Sequence, residues 1–198
     1  MSEGNGKVLR VSRFGRGSLW SAIDQSIRDA MPEYRSQPGM EAVWFGRRGP
    51  ATGDERTIVT LWSSAEAEAA SRTIPEMLQD IDVVAPSRVV LPVAFSRWRA
   101  SAGPPGILRI YEGRTRRGQL ARYAEVGQAA TAREVDQADG PTAVTMTLAG
   151  VDRFLTVSTW LDWSSLEAYT AGHIERPLVS RDRSLIREGS PTHYELVY

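Results

Sequence analysis

The second half of this 198-residue chain repeats the first. Val8-Leu9-Arg10-Val11 returns 99 positions later as Ile107-Leu108-Arg109-Ile110. Gly39 returns 101 positions later as Gly140, and Trp62-Ser63-Ser64-x-Glu66-Ala67 returns at the same spacing from Trp163. A period near 100 residues is too long for a solenoid repeat and matches one small domain. The sequence therefore predicts a tandem duplication.

The composition argues against several classes of protein. Lys and Arg together number 24, and so do Asp and Glu, so the net charge gives no support to binding of nucleic acid or a membrane surface. The chain has no Cys, which excludes disulfides, thiolate metal sites and a cysteine nucleophile. It shows neither a secretory signal nor an apolar run of about 18 residues. We therefore expect a cytoplasmic protein.

The hydrophobic pattern predicts the order β-α-β-β-α-β in each half. In the first half, strands are expected at 8–13, 40–47, 55–62 and 87–98, with a helix capped by Ser18, a second helix from residue 65 and a further helical turn at 74–81. In the second half, strands are expected at 107–112, 142–148, 152–160 and 192–198, with helices around 120–127 and 164–173. The Pro- and Gly-rich segment 101–106 is the predicted linker, which gives domains 1–100 and 101–198.

This order is that of the ferredoxin-like split βαβ unit. Such a unit buries one face of its sheet under two helices and leaves the other face bare. Two units in one chain can cover these bare faces by packing sheet on sheet. The predicted fold class is therefore α+β, with two tandem ferredoxin-like units packed sheet to sheet. A chain that supplies both halves need not dimerise, so we expect a monomer or a weak homodimer.

The strand order, the Gly before the second strand and the Trp-Ser-Ser-x-Glu-Ala opening of the second helix resemble the antibiotic-biosynthesis monooxygenase domain of the dimeric α/β-barrel superfamily. The resemblance covers nearly the whole chain, once per half, and implies an intramolecular dimeric α/β barrel. Members of the superfamily include cofactor-free quinone-forming oxygenases, haem-degrading enzymes, cyclases, isomerases and proteins with no known activity. The resemblance therefore implies a fold more firmly than a reaction.

The residues give little support to a metal or cofactor. Haem-degrading members use an Asn on the first strand, a Trp in the second helix and a His ligand ten residues later. The corresponding positions hold His173 and Arg183 in one half and Arg72 and Asp82 in the other, which disfavours haem. His173 is at least as well explained by a capping role near a helix end. No metal-ligand spacing and no dinucleotide-binding glycine motif is present, so we expect neither a metal nor a cofactor.

Strand alternation predicts which side chains line the barrel interior. The apolar rows are expected to face the helices: Leu9, Val11, Leu108, Ile110, Val144, Met146, Leu148, Leu155 and Val157. The predicted interior residues, and so the candidate substrate-binding residues, are Arg10, Trp44, Arg109, Tyr111, Thr145, Thr147, Thr156, Ser158 and His193. A polar lining around an enclosed space favours a ligand pocket over a packed core.

Cofactor-free oxygenases of the superfamily let a phenolate or hydroquinone react directly with oxygen. The resemblance therefore implies a cofactor-independent monooxygenase acting on a small aromatic or polyketide-like molecule with an acidic hydroxyl. Arg109 would stabilise the anion, His193 would act as the base, and Trp44 would provide a stacking wall.

Several alternatives stay open. Arg10 and Arg109 can instead pair with Glu or Asp at the rim of the sheet, because a buried Arg usually needs a partner. Trp62 and Trp163 are explained well as core anchors at strand–helix junctions, and His193 by a structural hydrogen bond. The whole protein is, alternatively, a non-catalytic small-molecule-binding or accessory protein of the same fold.

Overall fold

The computed structural model describes residues 6–14, 20–48, 55–73, 87–100, 102–175 and 183–197. The first half contains β1 (Val8–Phe14), α1 (Trp20–Arg35), β2 (Met40–Arg47), β3 (Arg56–Trp62), α2 (Ala65–Ala69) and β4 (Ser87–Trp98). The second contains β5 (Ile107–Thr115), α3 (Leu120–Glu134), β6 (Ala143–Ala149), β7 (Arg153–Trp160), α4 (Trp163–Thr170) and, after a short 3-10 turn, β8 (Ile186–Leu196). The predicted order β-α-β-β-α-β is confirmed in both halves.

Some predicted features lie outside the described residues, namely the Ser18 cap and the helical turn at 74–81, as does the hairpin loop that the Gly- and Pro-containing segment 49–54 indicates between the second and third strands. The predicted bounds of β2 and β4 agree with the structure. The last strand begins at Ile186, six residues before the predicted Thr192, so the predicted start of this strand was wrong.

The chain forms two compact units that divide inside β4 and β8. Of the described residues, those from Gly6 to Val90 together with Leu196 and Val197 form the N-terminal unit, and those from Leu91 to Glu195 form the C-terminal unit. The backbone pairing of the long strands explains these limits. Val93–Trp98 of β4 pair with β6 of the C-terminal unit, and the Val197 N–H donates to the Phe45 carbonyl of the N-terminal unit at 2.9 Å.

In the C-terminal unit the antiparallel strands follow the order β8-β5-β7-β6-β4. Arg109 in the middle of β5 lies between His193 on β8 and Ser158 on β7. Helix α3 packs on this sheet through Tyr123, which joins a core with Met146, Phe154 and others. Helix α4 packs through Leu166 against Ile107 and Trp160. We call the side covered by α3 and α4 the helix face of the C-terminal unit.

In the N-terminal unit β1 and β2 flank β3, again antiparallel. Helix α1 packs on one face of this sheet, where it forms a core of buried side chains: Phe14, Ile27, Met31, Tyr34, Phe45 and Ile58. Gly39, a landmark of the repeat, precedes β2 with a left-handed φ of 80°, and a Cβ there would lie 2.5 Å from the Cβ of Ala67. This close approach explains why a Gly is required at that point.

The predicted orientation of the first strands was wrong. Arg10 contacts Tyr34 of α1 and Glu68 of α2, and Tyr111 packs in the cluster that contains Tyr123 of α3, so the Arg rows face the helices. Alternation failed because both rows are buried: Leu9 and Arg10 are each 1% exposed. On β7 the rows are inverted in the same way, because Phe154 and Trp160 pack under the helices. Thr156 and Ser158 therefore lie on the helix face, and Leu155 and Val157 on the opposite face. The orientation predicted for Val144, Met146 and Leu148 is confirmed.

Candidate functional site

Arg109 is the centre of the candidate site and is 1% exposed. Its Nε–H donates to His193 Nε2 at 3.2 Å, and an Nη2–H donates to the Ile174 carbonyl at 3.1 Å, in the turn after α4. The guanidinium carbon lies 5.3 Å from the centre of the Tyr111 ring. The pairing of β5 with β8 places Arg109 directly opposite His193, so rigid sheet geometry holds the two side chains together.

Burial lowers the pKa of Arg109 to about 10. The neighbouring Tyr111, Glu175 and Tyr123 act in the opposite direction and do not cancel the loss of solvation. Arg109 is therefore still a cation at neutral pH, but one whose charge is poorly solvated. An anionic oxygen placed beside it would gain a strong, charge-assisted hydrogen bond.

His193 is half-buried and accepts a hydrogen bond through Nε2. This bond assigns the proton of the neutral ring to Nδ1. A proton on Nε2 would replace the acceptor with a donor that faces the guanidinium of Arg109. The other side of the ring contacts Trp163, with ring centres 5.6 Å apart.

Two buried hydroxyl groups complete the site. Tyr123 Oη and Thr156 Oγ1 have no hydrogen-bond partner among the described residues. Thr156 lies directly opposite Tyr111 in the sheet, and the Tyr123 ring packs at a tilt against the Phe154 ring, with ring centres 4.3 Å apart. Burial, together with the nearby Tyr111, raises the pKa of Tyr123, so its phenol stays protonated and is a donor. Buried polar groups without partners are uncommon in proteins and indicate a place for a water molecule or a ligand.

The structure brings some of the predicted site residues together on this helix face. We call this group, with the addition of Tyr123, the Arg109 site: Arg109, Tyr111, Tyr123, Thr156, Ser158 and His193. The Ser158 hydroxyl accepts from Trp160 Nε1 at 3.1 Å, so part of its hydrogen-bonding capacity serves the core.

Thr145, Thr147 and Trp44 do not join this group. Thr145 and Thr147 face away from the helices; the first bonds to the Ser96 hydroxyl at 2.8 Å and the second donates to the Leu155 carbonyl at 3.1 Å. Trp44 belongs to the N-terminal unit, on the side of β2 opposite to Phe45 and the α1 core.

Arg10 is held by protein groups within the N-terminal unit. It donates to Glu68 Oε1 at 2.9 Å and to the Ser71 hydroxyl at 3.0 Å, and it also donates to Tyr34 Oη. Its guanidinium carbon lies 5.2 Å from the centre of the Trp62 ring. For Arg10 the ion-pair alternative is therefore what the structure shows, although the pair is buried and not at a rim.

Trp163 is not the core anchor that the repeated motif predicted. It is 37% exposed at the first turn of α4, whereas Trp62 and Trp160 are fully buried. Trp62 ends β3 opposite Val8, and Trp160 ends β7 opposite Ile107. The counterpart of Trp62 in space is therefore Trp160.

Tyr123 was missed as a site residue because its helical spacing indicated only a core position. His173 is exposed in the turn that follows α4. Within the described part of the chain, no three His, Asp or Glu side chains lie close enough to hold a metal ion. None of the described helices has both the length and the apolar character needed to cross a membrane.

Comparison with known proteins identifies the fold. No family model and no curated protein matches the sequence. A proposed monooxygenase from Fusobacterium nucleatum is similar in structure, with a TM-score of 0.77, 10% identity and coverage of 100% of this chain and 94% of the other. A proposed monooxygenase from Lactobacillus acidophilus has a TM-score of 0.71 at 8% identity, covering 97% and 93%. A ferredoxin-fold protein from Listeria monocytogenes, related to antibiotic biosynthesis monooxygenases, has a TM-score of 0.59 at 9% identity, covering 98% and 95%. The predicted fold class and the predicted structural resemblance are confirmed, and such low identities establish the fold alone.

Proposed function

We propose that the Arg109 site binds a small aromatic or polyketide-like molecule with an acidic hydroxyl, and that the protein acts on it as a cofactor-independent monooxygenase. One observation carries the proposal. A buried, poorly solvated Arg109 lies beside the neutral His193 and the partnerless hydroxyl groups of Tyr123 and Thr156. A phenolate oxygen would meet the cation, and a second oxygen of the same molecule would meet the hydroxyls.

In this reaction the protein needs only to bind the substrate and to favour its ionised form. Arg109 favours the ionised form of the substrate, which is the form that reacts with oxygen. With an anthrone-like substrate, one atom of O2 becomes a ring carbonyl oxygen. The other atom leaves as water with the two hydrogens of the oxidised carbon, so the substrate supplies all the electrons.

His193 is a base beside the proposed position of the substrate oxygen. Its Nε2 lone pair accepts from Arg109, so proton uptake requires the substrate to separate the two side chains. This bond also favours the second candidate function, a binding protein without catalysis. In that case His193 only positions Arg109, and the ligand binds without reacting.

The test is to titrate the purified protein with anthrone and with hydroquinones while oxygen consumption is recorded. Arg109→Ala should weaken binding by about 1.5–3 kcal/mol, the usual value for a hydrogen bond to a charged group. His193→Ala should lower turnover more than affinity if the imidazole acts as the base. Arg122→Ala removes an exposed Arg on α3 and is the matched control, for which we expect no change.

The outcomes separate the two functions. Binding that depends on Arg109, without oxygen consumption, supports the non-catalytic protein. Absence of binding for every compound of both classes contradicts the proposal.

We also propose a cytoplasmic location, no binding of nucleic acid or membranes, and a monomeric or weakly dimeric state for the chain. Light scattering at several protein concentrations tests the last of these. An obligate dimer would contradict it.

A further inference from the structure

The two units can be aligned residue by residue at the start of their second helices, α2 and α4. Trp62 and Trp160 end equivalent strands, and each donates its Nε1–H to a hydroxyl two residues earlier on its own strand. The helix cap follows two residues after each Trp and accepts from a backbone N–H of the first turn. The first helical residues are therefore equivalent, and they differ in size: the N-terminal unit has Ala65 and the C-terminal unit has Trp163.

The packing of α4 does not explain a large ring at Trp163. The core between α4 and its sheet has these members: Ile107, Trp160, Leu166, Tyr169 and Ile174. Within the described part of the chain Trp163 lies outside this core, and its side chain is 37% exposed. Helix α2 begins with Ala65 at the equivalent position, so the fold itself does not require a Trp there.

The ring that Trp163 contacts is that of His193, with ring centres 5.6 Å apart and planes inclined by 52°. Both histidines of the chain, His173 and His193, lie in its second half. The Trp at the first helical position thus occurs in the half that carries the candidate base, and the half without a His has Ala65 instead.

A half-buried imidazole needs more than one contact to keep its orientation. The Nε2 atom of His193 accepts from Arg109 Nε at 3.2 Å, which fixes one edge of the ring. The ring can still turn about its two side-chain bonds, and water competes for its nitrogen atoms. An aromatic ring against the imidazole disfavours the turned orientations, because each of them loses the contact between the two rings.

We infer that Trp163 is a positioning residue of the Arg109 site, whose indole ring keeps Nε2 of His193 directed towards Arg109. The effect on turnover rests on the proposed function, in which His193 is the base. The positioning itself is a property of the ligand-free protein. The inference therefore adds a residue of α4 to the site and gives the exposed Trp163 a role.

The first experiment records the imidazole NMR signals of the full, ligand-free chain at a pH where both histidines are neutral. In the wild type, His193 should carry its proton on Nδ1, and its ring protons should show cross-peaks to the indole of Trp163. His173, which is exposed in the turn after α4, is the internal reference. Two histidines in the chain make the assignment simple.

Variants then test whether the indole ring is the cause. Trp163→Ala should lower the ratio of the Nδ1–H to the Nε2–H form of His193 about two- to tenfold, the change that the loss of one aromatic contact produces. Trp163→Phe keeps a ring and should restore most of the wild-type signal. Trp98→Ala removes another partly exposed Trp from the same unit and is the matched control, for which we expect no change at His193.

The second experiment measures oxygen consumption with anthrone. Trp163→Ala should lower kcat about two- to tenfold and leave KM nearly unchanged, because Arg109 still binds the ionised hydroxyl. Trp163→Phe should recover most of kcat. A raised KM with an unchanged kcat would assign Trp163 a contact with the ligand and would overturn the positioning role.

Circular dichroism of each variant accompanies both experiments. If Trp163→Ala does not fold, the wild type and Trp163→Phe decide the matter. An Nε2–H form of His193 in the wild type, or the absence of cross-peaks between the two rings, would overturn the inference. Wild-type His193 signals in a folded Trp163→Ala variant would overturn it as well.

The failure of this inference can be told from the failure of the proposed function. If the wild type neither binds nor oxidises any anthrone or hydroquinone, the proposed function fails, and the NMR signals of the ligand-free chain still decide whether Trp163 positions His193. If the wild type consumes oxygen with anthrone, and Trp163→Ala keeps both its kcat and its His193 signals, only the role of Trp163 is wrong.

Discussion

The two units stabilise the same arrangement of strands and helices with different chemistry. The N-terminal unit places two ion pairs under its helices, Arg10 with Glu68 and Arg56 with Asp24. In the C-terminal unit Arg109 donates to the His193 ring and to the Ile174 carbonyl, and Tyr123 packs against Phe154. A duplicated fold can therefore hold a buried charge by a carboxylate in one copy, while the other copy contains two buried hydroxyl groups, on Tyr123 and Thr156, without a hydrogen-bond partner among the described residues.

The second ion pair makes the contrast clear. Arg56 binds Asp24 through two hydrogen bonds of 2.7 and 3.0 Å. Arg56 lies opposite the last residue of β1, and its counterpart Phe154 lies opposite Gly113, the equivalent position on β5. Phe154 packs against Tyr123 of α3, so a charged pair in one unit corresponds to an aromatic pair in the other.

The largest expected effect tests the alignment of the units. Trp160→Ala should lower the free energy of unfolding by about 3–5 kcal/mol, because it empties a fully buried position. Trp163→Ala should cost less than about 1 kcal/mol, since its ring is partly exposed and removes little from the core. Urea unfolding of both variants provides the comparison. Equal losses would restore Trp163 as the anchor and would contradict the equivalence of Trp62 and Trp160.

The comparison of Trp160 with Trp163 also explains why the repeated motif led to a wrong prediction of the second anchor. The motif Trp-Ser-Ser-x-Glu-Ala is repeated at a spacing of 101, yet the equivalent strand ends, Trp62 and Trp160, are 98 residues apart. The second copy of the motif begins at Trp163, three residues after Trp160, which is the structural equivalent of Trp62. Only the pairing of the strands reveals this shift.

Much of the architecture was nevertheless predictable, because strand and helix patterns depend on local sequence. The last strand was the exception: Gly189 and Pro191 indicate a loop, but both lie inside β8. A Cβ at Gly189 would lie 2.7 Å from the hydroxyl of Tyr111, so the glycine allows the strand to approach a large side chain. Such a contact is not visible in one sequence.

The site was predictable only in part. Arg109 and His193 were selected as a pair, and their hydrogen bond shows that they meet. The face on which they lie was predicted wrongly, because a strand buried on both sides carries no polarity signal. Tyr123 could not be recognised, since a hydroxyl without a partner is a property of packing and not of spacing.

The next largest effect is expected when the ion pair of Arg56 with Asp24 is removed. Asp24→Ala should lower the free energy of unfolding by about 3 kcal/mol, because it leaves the buried guanidinium without its carboxylate. The double variant Asp24→Tyr with Arg56→Phe installs the aromatic pair of the C-terminal unit. It should recover at least half of the loss in urea unfolding, since an apolar replacement removes the desolvation penalty. A double variant less stable than Asp24→Ala would show that the two arrangements are not interchangeable.

The third prediction compares the two arginines. Arg10→Met should cost about 2 kcal/mol, because it leaves the buried Glu68 with Arg88 as its remaining cation. Arg109→Met should cost only about 1 kcal/mol, because the acceptors on His193 and Ile174 are neutral. A larger loss for Arg109→Met in chemical denaturation would contradict the contrast between the units.

The stability difference between the wild type and Arg109→Met is also expected to depend on pH in the alkaline range. Burial lowers the pKa of Arg109 to about 10, so the folded chain binds this proton less tightly than the unfolded chain does. The charge therefore opposes folding below about pH 10, and the penalty declines as the pH rises through that value. The stability of the wild type relative to Arg109→Met should thus increase by about 1 kcal/mol between about pH 9 and pH 11. A constant difference over this range would show that the charge is better solvated than its burial indicates.

The smallest change in stability is expected when the hydroxyl groups of two buried tyrosines, Tyr34 and Tyr123, are removed. Tyr34→Phe should lower the free energy of unfolding by about 1–2 kcal/mol, because Arg10 donates to the Tyr34 hydroxyl. Tyr123→Phe should leave it unchanged or raise it by about 1 kcal/mol, because the Tyr123 hydroxyl is buried without a partner and its removal costs no bond. The same Tyr123→Phe variant should weaken binding of the anthrone and hydroquinone compounds, while thermal unfolding without ligand shows no loss. A gain in stability together with a loss of affinity is the combination expected of a group kept for a ligand. If Tyr123→Phe destabilises the ligand-free protein as much as Tyr34→Phe does, the hydroxyl is already satisfied, and the two units do not differ in the way proposed.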